Sequence, residues 1–165
     1  MTPGLRPLRI LHVCRRYAPF AGGTERYVRD LAMAQAEQGH RVTVLTLDHD
    51  ITGGRSGRLP SRELLGKVEI IRLPGVGNRR IALTFRPDRL ARAVREHDIT
   101  HLHDVRFGLA LIAVVARLGR RPWILHTHGL IFHESPHGSF RRAATRYGIG
   151  PLLRFGRANV IASSD

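Results

Sequence analysis

Apolar residues occur along the chain in short runs, and polar stretches with helical periodicity separate most of these runs. Branched aliphatic residues dominate the runs, and several end at proline, histidine or charged residues, which is typical of buried strands. Six runs therefore predict strands: Leu8–Cys14, Arg41–Leu47, Lys67–Pro74, Ile99–His103, Pro122–His128 and Asn159–Asp165.

Four of the intervening stretches have the spacing of helices. In the first, Thr24 is predicted to be the N-cap and Gly39 the glycine that follows the helix end. The last is basic, and we expect it to be interrupted near Gly148–Pro151. The predicted helices are Thr24–His40, Pro87–His97, Phe107–Gly119 and Ser139–Ala158.

Strands that alternate with helices predict an α/β domain, with a Rossmann-like parallel sheet and helices on both faces. The 165 residues suit one such domain. Ligands of these sheets bind beyond the carboxyl ends of the strands. That rule selects Arg15–Gly23, His103–Phe107, His128–His137 and Asp48–Gly66, of which the last is predicted to be a mobile loop without regular structure.

Charge adds a preference for anionic partners, because the formal net charge is +14 and Lys67 is the only lysine among 27 basic residues. A coding bias toward arginine is the alternative explanation. The basic residues are scattered, which disfavours a nucleic-acid-binding protein. The single cysteine, Cys14, excludes a disulfide framework, and no apolar run reaches the roughly 18 residues of a membrane span. We therefore expect a cytoplasmic protein, peripheral at most at the inner face of the membrane.

Gly22 and Gly23 stand where the first strand gives way to the first helix. Glycine permits a sharp corner and a close ligand, and the free N–H groups of a first helical turn favour an anion. This corner is a candidate seat for a phosphate or diphosphate, although a tight turn without a ligand has the same spacing. The dinucleotide fingerprint G-x-G-x-x-G is absent, and Asp48 alone does not replace it.

Histidines cluster at the ends of two predicted strands. We expect His101 and His103 to lie on opposite faces of one strand, and His126 and His128 on opposite faces of another, which disfavours a metal site within either strand. His103 and His128 could meet on neighbouring strands, where zinc ligands could be added by His133, Glu134 and His137. These last residues lack a zinc-protease spacing, so no metal site is predicted. At a strand end, His128 either bonds a neighbouring loop or offers directional hydrogen bonds to a sugar hydroxyl or a leaving phosphate.

Four segments, taken in order, resemble glycosyltransferase family 4. The family's Gly-Gly-x-Glu, helix and Gly-His-x-Val pattern matches the segment from Gly22 to Thr46. Its Asp-Ile-x-His-x-His strand matches His97–Asp104, its Thr-x-His-Gly segment matches Pro122–Leu130, and its closing strand matches Arg157–Asp165. Asn159 departs from the aspartate that is common in that last strand.

The resemblance implies the amino-terminal half of a GT-B fold, in a retaining transferase that moves a sugar from a nucleotide-diphosphate sugar without an essential metal. It implies that Gly22 and Gly23 lie near the donor diphosphate and that His128 is catalytic at the cleft. The nucleotide sugar is a substrate, so no cofactor is expected. The carboxy-terminal domain that holds most of it is absent from residues 1–165, and we expect little activity from these residues alone.

The resemblance also places the acceptor on this half of the fold. A glycan, a lipid-linked sugar or a small molecule would be the acceptor, and Arg15 and Arg16 suggest an anionic one. The remaining candidate acceptor residues are His103, Asp104 and Gly129. The basic segment Ser139–Ala158 could lie on an anionic membrane, or it could be a solvated helix face. A Rossmann-like module that binds a phosphorylated or glycan ligand without turnover is the alternative function.

Overall fold

The fold follows from a computed structural model that describes residues 6–50, 57–78, 82–128 and 145–161. The strands within these ranges are Arg9–Val13 (β1), Arg41–Leu47 (β2), Arg62–Leu65 (β3), Val68–Leu73 (β4), Gly75–Gly77 (β5), Ala82–Thr84 (β6), Ile99–Leu102 (β7), Trp123–His126 (β8) and Asn159–Ile161 (β9). The α-helices are Gly23–Glu37 (α1), Pro87–Glu96 (α2), Leu109–Leu118 (α3) and Gly150–Gly156 (α4), and a π-helical turn at Thr145–Ile149 leads into α4.

Seven strands form one sheet in the order β3-β4-β2-β1-β7-β8-β9. Every neighbouring pair is parallel except β3 and β4, which pair antiparallel. The predicted α/β sheet is therefore confirmed. The strand order reverses between β1 and β7, and in sheets of this kind the crevice for ligands opens at that reversal.

Helices cover both faces of the sheet, as predicted. On one face, Val28, Ala32 and Ala36 of α1 pack on aliphatic residues of β1, β2 and β4. On the other face, α2 and α3 pack on the alternate residues of the same strands, together with Trp123 of β8. Because side chains of a strand alternate between faces, Ile10, His12 and Cys14 face α1, whereas Leu11 and Val13 face α2 and α3.

The structure corrects several local predictions. Helix α1 begins at Gly23 with Gly22 as its N-cap, so Thr24 lies within the helix and is not the cap. Gly39 has a φ of 93° just beyond the helix, which confirms its role after the C-cap. Part of the predicted loop is strand β3, because Glu63 and Leu64 pair with β4 although neither is buried. At Gly150 the π-helical turn continues directly into α4, so the predicted interruption changes the helix type without ending the helix.

Helix α4 is held against the sheet at Gly156. The indole Nε1–H of Trp123 donates to the Gly156 carbonyl at 2.7 Å, and a Cβ at this glycine would lie 2.9 Å from the indole ring and 3.0 Å from the Cβ of Ala113. Both contacts are shorter than a packed core tolerates, so either the helix or the ring would have to shift.

We expect Gly156→Ala to lower the free energy of unfolding by about 1–2 kcal/mol, since one methyl overpacks this contact. Gly148→Ala is the control, because no atom lies within 4 Å of a Cβ placed there. That variant should be neutral or slightly stabilising. Urea unfolding followed by circular dichroism measures both, and an equal change at the two sites would contradict the packing at Gly156.

Candidate active site

The candidate active site lies at the carboxyl ends of β1, β7 and β8, beside the reversal of strand order. Five histidines from these strands gather on the face that α1 covers. Their rings lie close together, with centroids 4.0 Å apart for His101 and His103, which are tilted, and 3.9 Å apart for His126 and His128, which are stacked. The cluster consists of His12, His101, His103, His126 and His128.

The expectation that each pair of histidines lies on opposite faces is wrong. Residues two apart in a strand share a face, so His101 joins His103, and His126 joins His128. His12 of β1 stands directly opposite His101 in the parallel register, which brings the third strand into the cluster. Tyr27 of α1 covers the outer end, with its ring edge-on to His126 and His128 at 5.0 and 5.1 Å.

Burial keeps these imidazoles neutral. Removal from water lowers the pKa of His12 to about 4, although its hydrogen bond with Gln35 opposes the shift. Burial and the neighbouring histidines lower the pKa of His101 to about 3 and that of His103 further still. The pKa of His128, which is half-buried, falls to about 4 through burial and through His126, while Asp104 opposes the shift.

Hydrogen bonds join three of the histidines into a row that begins at helix α1. Gln35 Oε1 lies 2.7 Å from His12 Nε2, and His12 Nδ1 lies 2.9 Å from His103 Nε2. His103 Nδ1 lies 3.2 Å from His128 Nε2. The row thus runs from a part-buried helix residue, through two buried rings, to the strand end at His128.

Two groups of three histidines have the spacing that a metal ion would require. One nitrogen from each member lies within 4.8 Å of the others in the group His12, His101 and His103 and in the group His103, His126 and His128. In the described part of the chain, the buried Nε2 of His101 has no hydrogen bond and could bind an ion. The nitrogens of His12, His103 and His128, however, already bond one another, so an ion at either point would break the row.

The glycine corner lies at the start of α1, one helical turn before Tyr27. An open depression of about 510 Å³ reaches this corner and is lined by Ala18–Gly23, Glu25, Arg26 and Arg29. A Cβ at Gly23 would meet nothing within 4 Å, so its backbone is open to a ligand. A Cβ at Gly22 would lie 2.1 Å from the carboxylate of Glu25, which therefore folds back over the N-cap.

Arg16 holds the Glu25 carboxylate, with 3.3 Å between Arg16 Nη1 and Glu25 Oε1, and its Nε lies 3.3 Å from a carboxylate oxygen of Asp50. One cation thus pairs with two acidic groups beside the corner. Glu25 lies in the first helical turn, where a carboxylate complements the helix dipole.

A second group of charges lies beside the histidines. Asp104, which follows β7, forms ion pairs with Arg15 and Arg106, the latter at 2.9 Å. Arg15 also donates to the carbonyl of Asn78 at 3.0 Å, just beyond strand β5. Arg15 and Arg16, which were predicted to contact an anionic acceptor, therefore both have carboxylate neighbours within this domain.

The structure brings together four of the predicted site residues, Arg15, His103, Asp104 and His128, and places Gly22 and Gly23 at the head of α1. His103 is 1% exposed, and its Nδ1 lies 3.2 Å from Nε2 of the half-buried His128. Gly129 lies outside the described residues. The roles of all these predicted site residues in binding and catalysis stay predictions.

Sequence reasoning missed His12, Gln35 and Tyr27. His12 carried a readable signal, because alternation places it on the same face as Ile10 and Cys14 in an otherwise apolar strand. Gln35 and Tyr27 carried none, since polar and aromatic residues on a helix are ordinary. Their meeting with the histidines depends on how α1 lies across the sheet.

Comparisons with known proteins agree with one another. The sequence model described as "Glycosyl transferase 4-like domain" matches residues 22–165. The chain is 33% identical over 140 residues to the GDP-mannose:cellobiosyl-diphosphopolyprenol alpha-mannosyltransferase of Komagataeibacter xylinus, a match that covers 84% of this chain and 34% of that protein. For the protein of the same description in Xanthomonas oryzae pv. oryzae, the identity is 30% over 159 residues, with coverages of 96% and 40%.

Among solved structures, the catalytic domain of starch synthase IV from Arabidopsis thaliana aligns with a TM-score of 0.47 at 16% identity. That alignment covers 74% of this chain and 34% of the synthase chain. The chain thus spans about a third to two fifths of the length of the two mannosyltransferases described above.

Proposed function

The chain belongs to the glycosyl transferase 4-like family, and we propose that it is the amino-terminal, acceptor-side domain of a retaining glycosyltransferase. The resemblance stated from four sequence segments is confirmed by the family match over residues 22–165. The chain is homologous over part of its length to mannosyltransferases. We further propose that the donor is a nucleotide-diphosphate sugar such as GDP-mannose, and that the acceptor is a sugar linked to a polyprenyl diphosphate.

The family match carries this proposal, and the arrangement of the site supports it. Gly23 presents an open backbone at a helix start, which suits a diphosphate oxygen. Arg16 pairs with the Glu25 carboxylate and thereby reduces its repulsion of such a group. His128 has a φ of 43°, a left-handed conformation that is uncommon outside glycine and often marks a functional position.

A lipid-linked acceptor fits the surface near this edge. The hairpin of β5 and β6 pairs Val76 with Leu83, and both side chains are more than half exposed, as is that of Phe85. Arg15 bonds the backbone just after β5, so the hairpin lies beside the charged group at Asp104. Apolar side chains near basic residues suit an isoprenoid chain or an anionic membrane surface.

No helix in the described ranges combines the length and apolar character needed to cross a bilayer. We propose a peripheral contact with the membrane. Phe155 of α4 is half exposed beside Arg154 and Arg157, which would add to such a contact if α4 faced the lipid.

Sugar transfer by a hybrid protein tests the proposed function. We expect no transfer by the 165-residue chain alone. Fused to the remaining part of the Komagataeibacter xylinus mannosyltransferase, it should transfer mannose from GDP-mannose to a polyprenyl-diphosphate-linked acceptor. His128→Ala in that hybrid should lower kcat/KM by about a hundredfold, the effect of removing one directional hydrogen bond to the reacting groups.

Two other results would overturn parts of this proposal. Transfer by the isolated chain would contradict the proposal that the reaction requires both domains. A folded hybrid that binds the acceptor glycan but transfers nothing would favour the alternative, a module that binds without turnover. The match to the mannosyltransferases would then report common ancestry alone.

We also propose that transfer requires no metal. Both ring nitrogens of His12 and of His103 already take part in hydrogen bonds, with Gln35, with each other and with His128, so these two rings are satisfied without a cation. Treatment of the active hybrid with EDTA, followed by gel filtration, should leave kcat/KM unchanged within twofold. A loss of activity that Zn²⁺ or Mg²⁺ restores would contradict this.

A further inference from the structure

We propose that Gln35 and His12 are positioning residues that set which ring nitrogen of His128 accepts a hydrogen bond at the transfer site. This inference rests on the proposed function, because it assigns the role of His128 toward a sugar hydroxyl. The observation behind it is the unbroken row from Gln35 through His12 and His103 to His128, with contacts of 2.7, 2.9 and 3.2 Å.

The protonation pattern follows from the first contact. A side-chain amide oxygen can only accept, so His12 Nε2 must carry the proton that Gln35 Oε1 accepts. A neutral imidazole has one N–H, which leaves His12 Nδ1 as an acceptor. The bond that a ring makes through one nitrogen thus fixes the state of the other.

The same rule passes along the row. His103 Nε2 must donate to His12 Nδ1, so His103 Nδ1 is an acceptor. His128 Nε2 must then donate to His103 Nδ1, and this leaves His128 Nδ1 with its lone pair. Burial supports the neutral forms that this argument assumes, since His12 is 0% and His103 1% exposed.

This protonation pattern decides between two roles of His128 that the sequence left open, a hydrogen bond with a sugar hydroxyl and one with a leaving phosphate. With Nδ1 as an acceptor, His128 can receive a hydrogen bond from a sugar hydroxyl. It cannot donate from the same nitrogen to a phosphate oxygen while the ring is neutral. His128 therefore orients a hydroxyl, and Gln35 acts on that hydroxyl through the three rings of His12, His103 and His128.

Packing alone does not require such a row. Ile10 and Cys14 flank His12 on the same face of β1, and apolar side chains at these positions can be buried without forming hydrogen bonds. A purely structural role would make Gln35 important for stability but would leave the tautomer of His128 unchanged. The tautomer is therefore the decisive measurement.

The experiment compares the wild-type chain with Gln35→Leu and Gln35→Glu, using histidine labelled with ¹⁵N at pH 7.5. Long-range ¹H–¹⁵N correlation spectra report which nitrogen of His128 carries the proton. We expect the Nε2–H form in the wild type and in Gln35→Glu, because a carboxylate oxygen still accepts from His12. Gln35→Leu should raise the Nδ1–H form at least several-fold.

Either an Nδ1–H tautomer in the wild type or an unchanged tautomer in folded Gln35→Leu would overturn the inference. If Gln35→Leu does not fold, His12→Met breaks the row at its next link and should shift the His128 tautomer in the same way. If neither variant folds, an Nδ1–H form of His128 in the wild type still overturns the inference, and an Nε2–H form supports the protonation pattern of the row.

A kinetic arm separates this inference from the proposed function. In the active hybrid, Gln35→Leu should lower kcat at least fivefold with little change in the KM for GDP-mannose, and Gln35→Glu should recover most of the loss. Transfer that is insensitive to Gln35 would remove the inference and leave the proposed function intact. A tautomer that depends on Gln35 in a hybrid that does not transfer would remove the proposed function and would leave only the control of the His128 tautomer by Gln35.

Discussion

Lowering the pH from 7.5 to 5 is expected to reduce the free energy of unfolding by about 4 kcal/mol, through His12 and His101 alone. Both are buried neutral, with pKa values of about 4 and about 3 against an ordinary value of 6.5. A depressed pKa means that the unfolded chain binds more protons in this interval. Stability is therefore full above pH 6.5 and falls as protons are added.

The size follows from the same linkage. At pH 5 the unfolded histidine is almost fully protonated and the folded one almost fully neutral, so each contributes a loss of about 2 kcal/mol. His103 has a pKa lowered by burial and by the surrounding rings, and it acts in the same direction. A small domain is stable by only about 5–15 kcal/mol, so this domain should be close to unfolding at pH 5.

Urea unfolding at pH 7.5 and pH 5 measures the effect, and two variants identify its source. His101→Phe keeps an aromatic ring in the stack and removes one titrating group, so its loss should be smaller by about 2 kcal/mol. His40→Gln changes a histidine outside the cluster and should lose as much as the wild type. An equal loss in all three proteins would place the pH dependence elsewhere.

The sheet was predictable because its signal is local. Each of the six apolar runs predicts a strand, and the helical stretches between them predict helices. The parallel order follows from their alternation. Strand β3 was not predicted, because Arg62 and Glu63 are exposed at the sheet edge and pairing with β4 there requires no apolar pattern. The β5–β6 hairpin was not predicted for a similar reason, since Val76 and Leu83 are exposed.

The site was predictable only in part. The glycine corner and the strand-end histidines lie where the α/β rule places ligands, so His103, Asp104 and His128 could be chosen from the sequence. The bond between His12 and His103 joins two strands that are 91 residues apart in sequence. Their neighbouring positions follow from the strand order, which a single sequence does not specify. The wrong assignment of strand faces hid the cluster as well.

Arg72 is expected to be the side chain whose loss most weakens the part of the fold that supports the glycine corner. Its guanidinium is 1% exposed and donates to the carbonyl of Ala18 at 2.8 Å and to that of Pro60 at 3.2 Å. It also forms an ion pair of 2.7 Å with Glu63 of β3. Arg72→Met keeps most of the volume but removes all three contacts, and we expect a loss of about 3 kcal/mol.

Arg72→Lys and Arg62→Met are the matched controls. A lysine retains the charge, but its compact ammonium cannot reach three acceptors at once, so it should recover only part of the loss. Arg62 of β3 is 72% exposed and pairs with Glu69 at 3.0 Å, and such surface pairs contribute at most about 1 kcal/mol. Urea unfolding at pH 7.5 compares the three variants, and equal losses for Arg72→Met and Arg62→Met would refute the buried role.

The hydrogen bond from Arg72 to the Ala18 carbonyl also stabilises the glycine corner. Ala18 begins the segment that lines the open depression and ends at Gly22 and Gly23, and Arg72 ties it to the sheet. Arg72→Met should therefore raise amide hydrogen exchange at Gly22 and Gly23 more than in β2, because the corner loses its tether while the central strands keep theirs. A uniform rise across both would mean that Arg72 stabilises the whole domain and does not hold the corner in place.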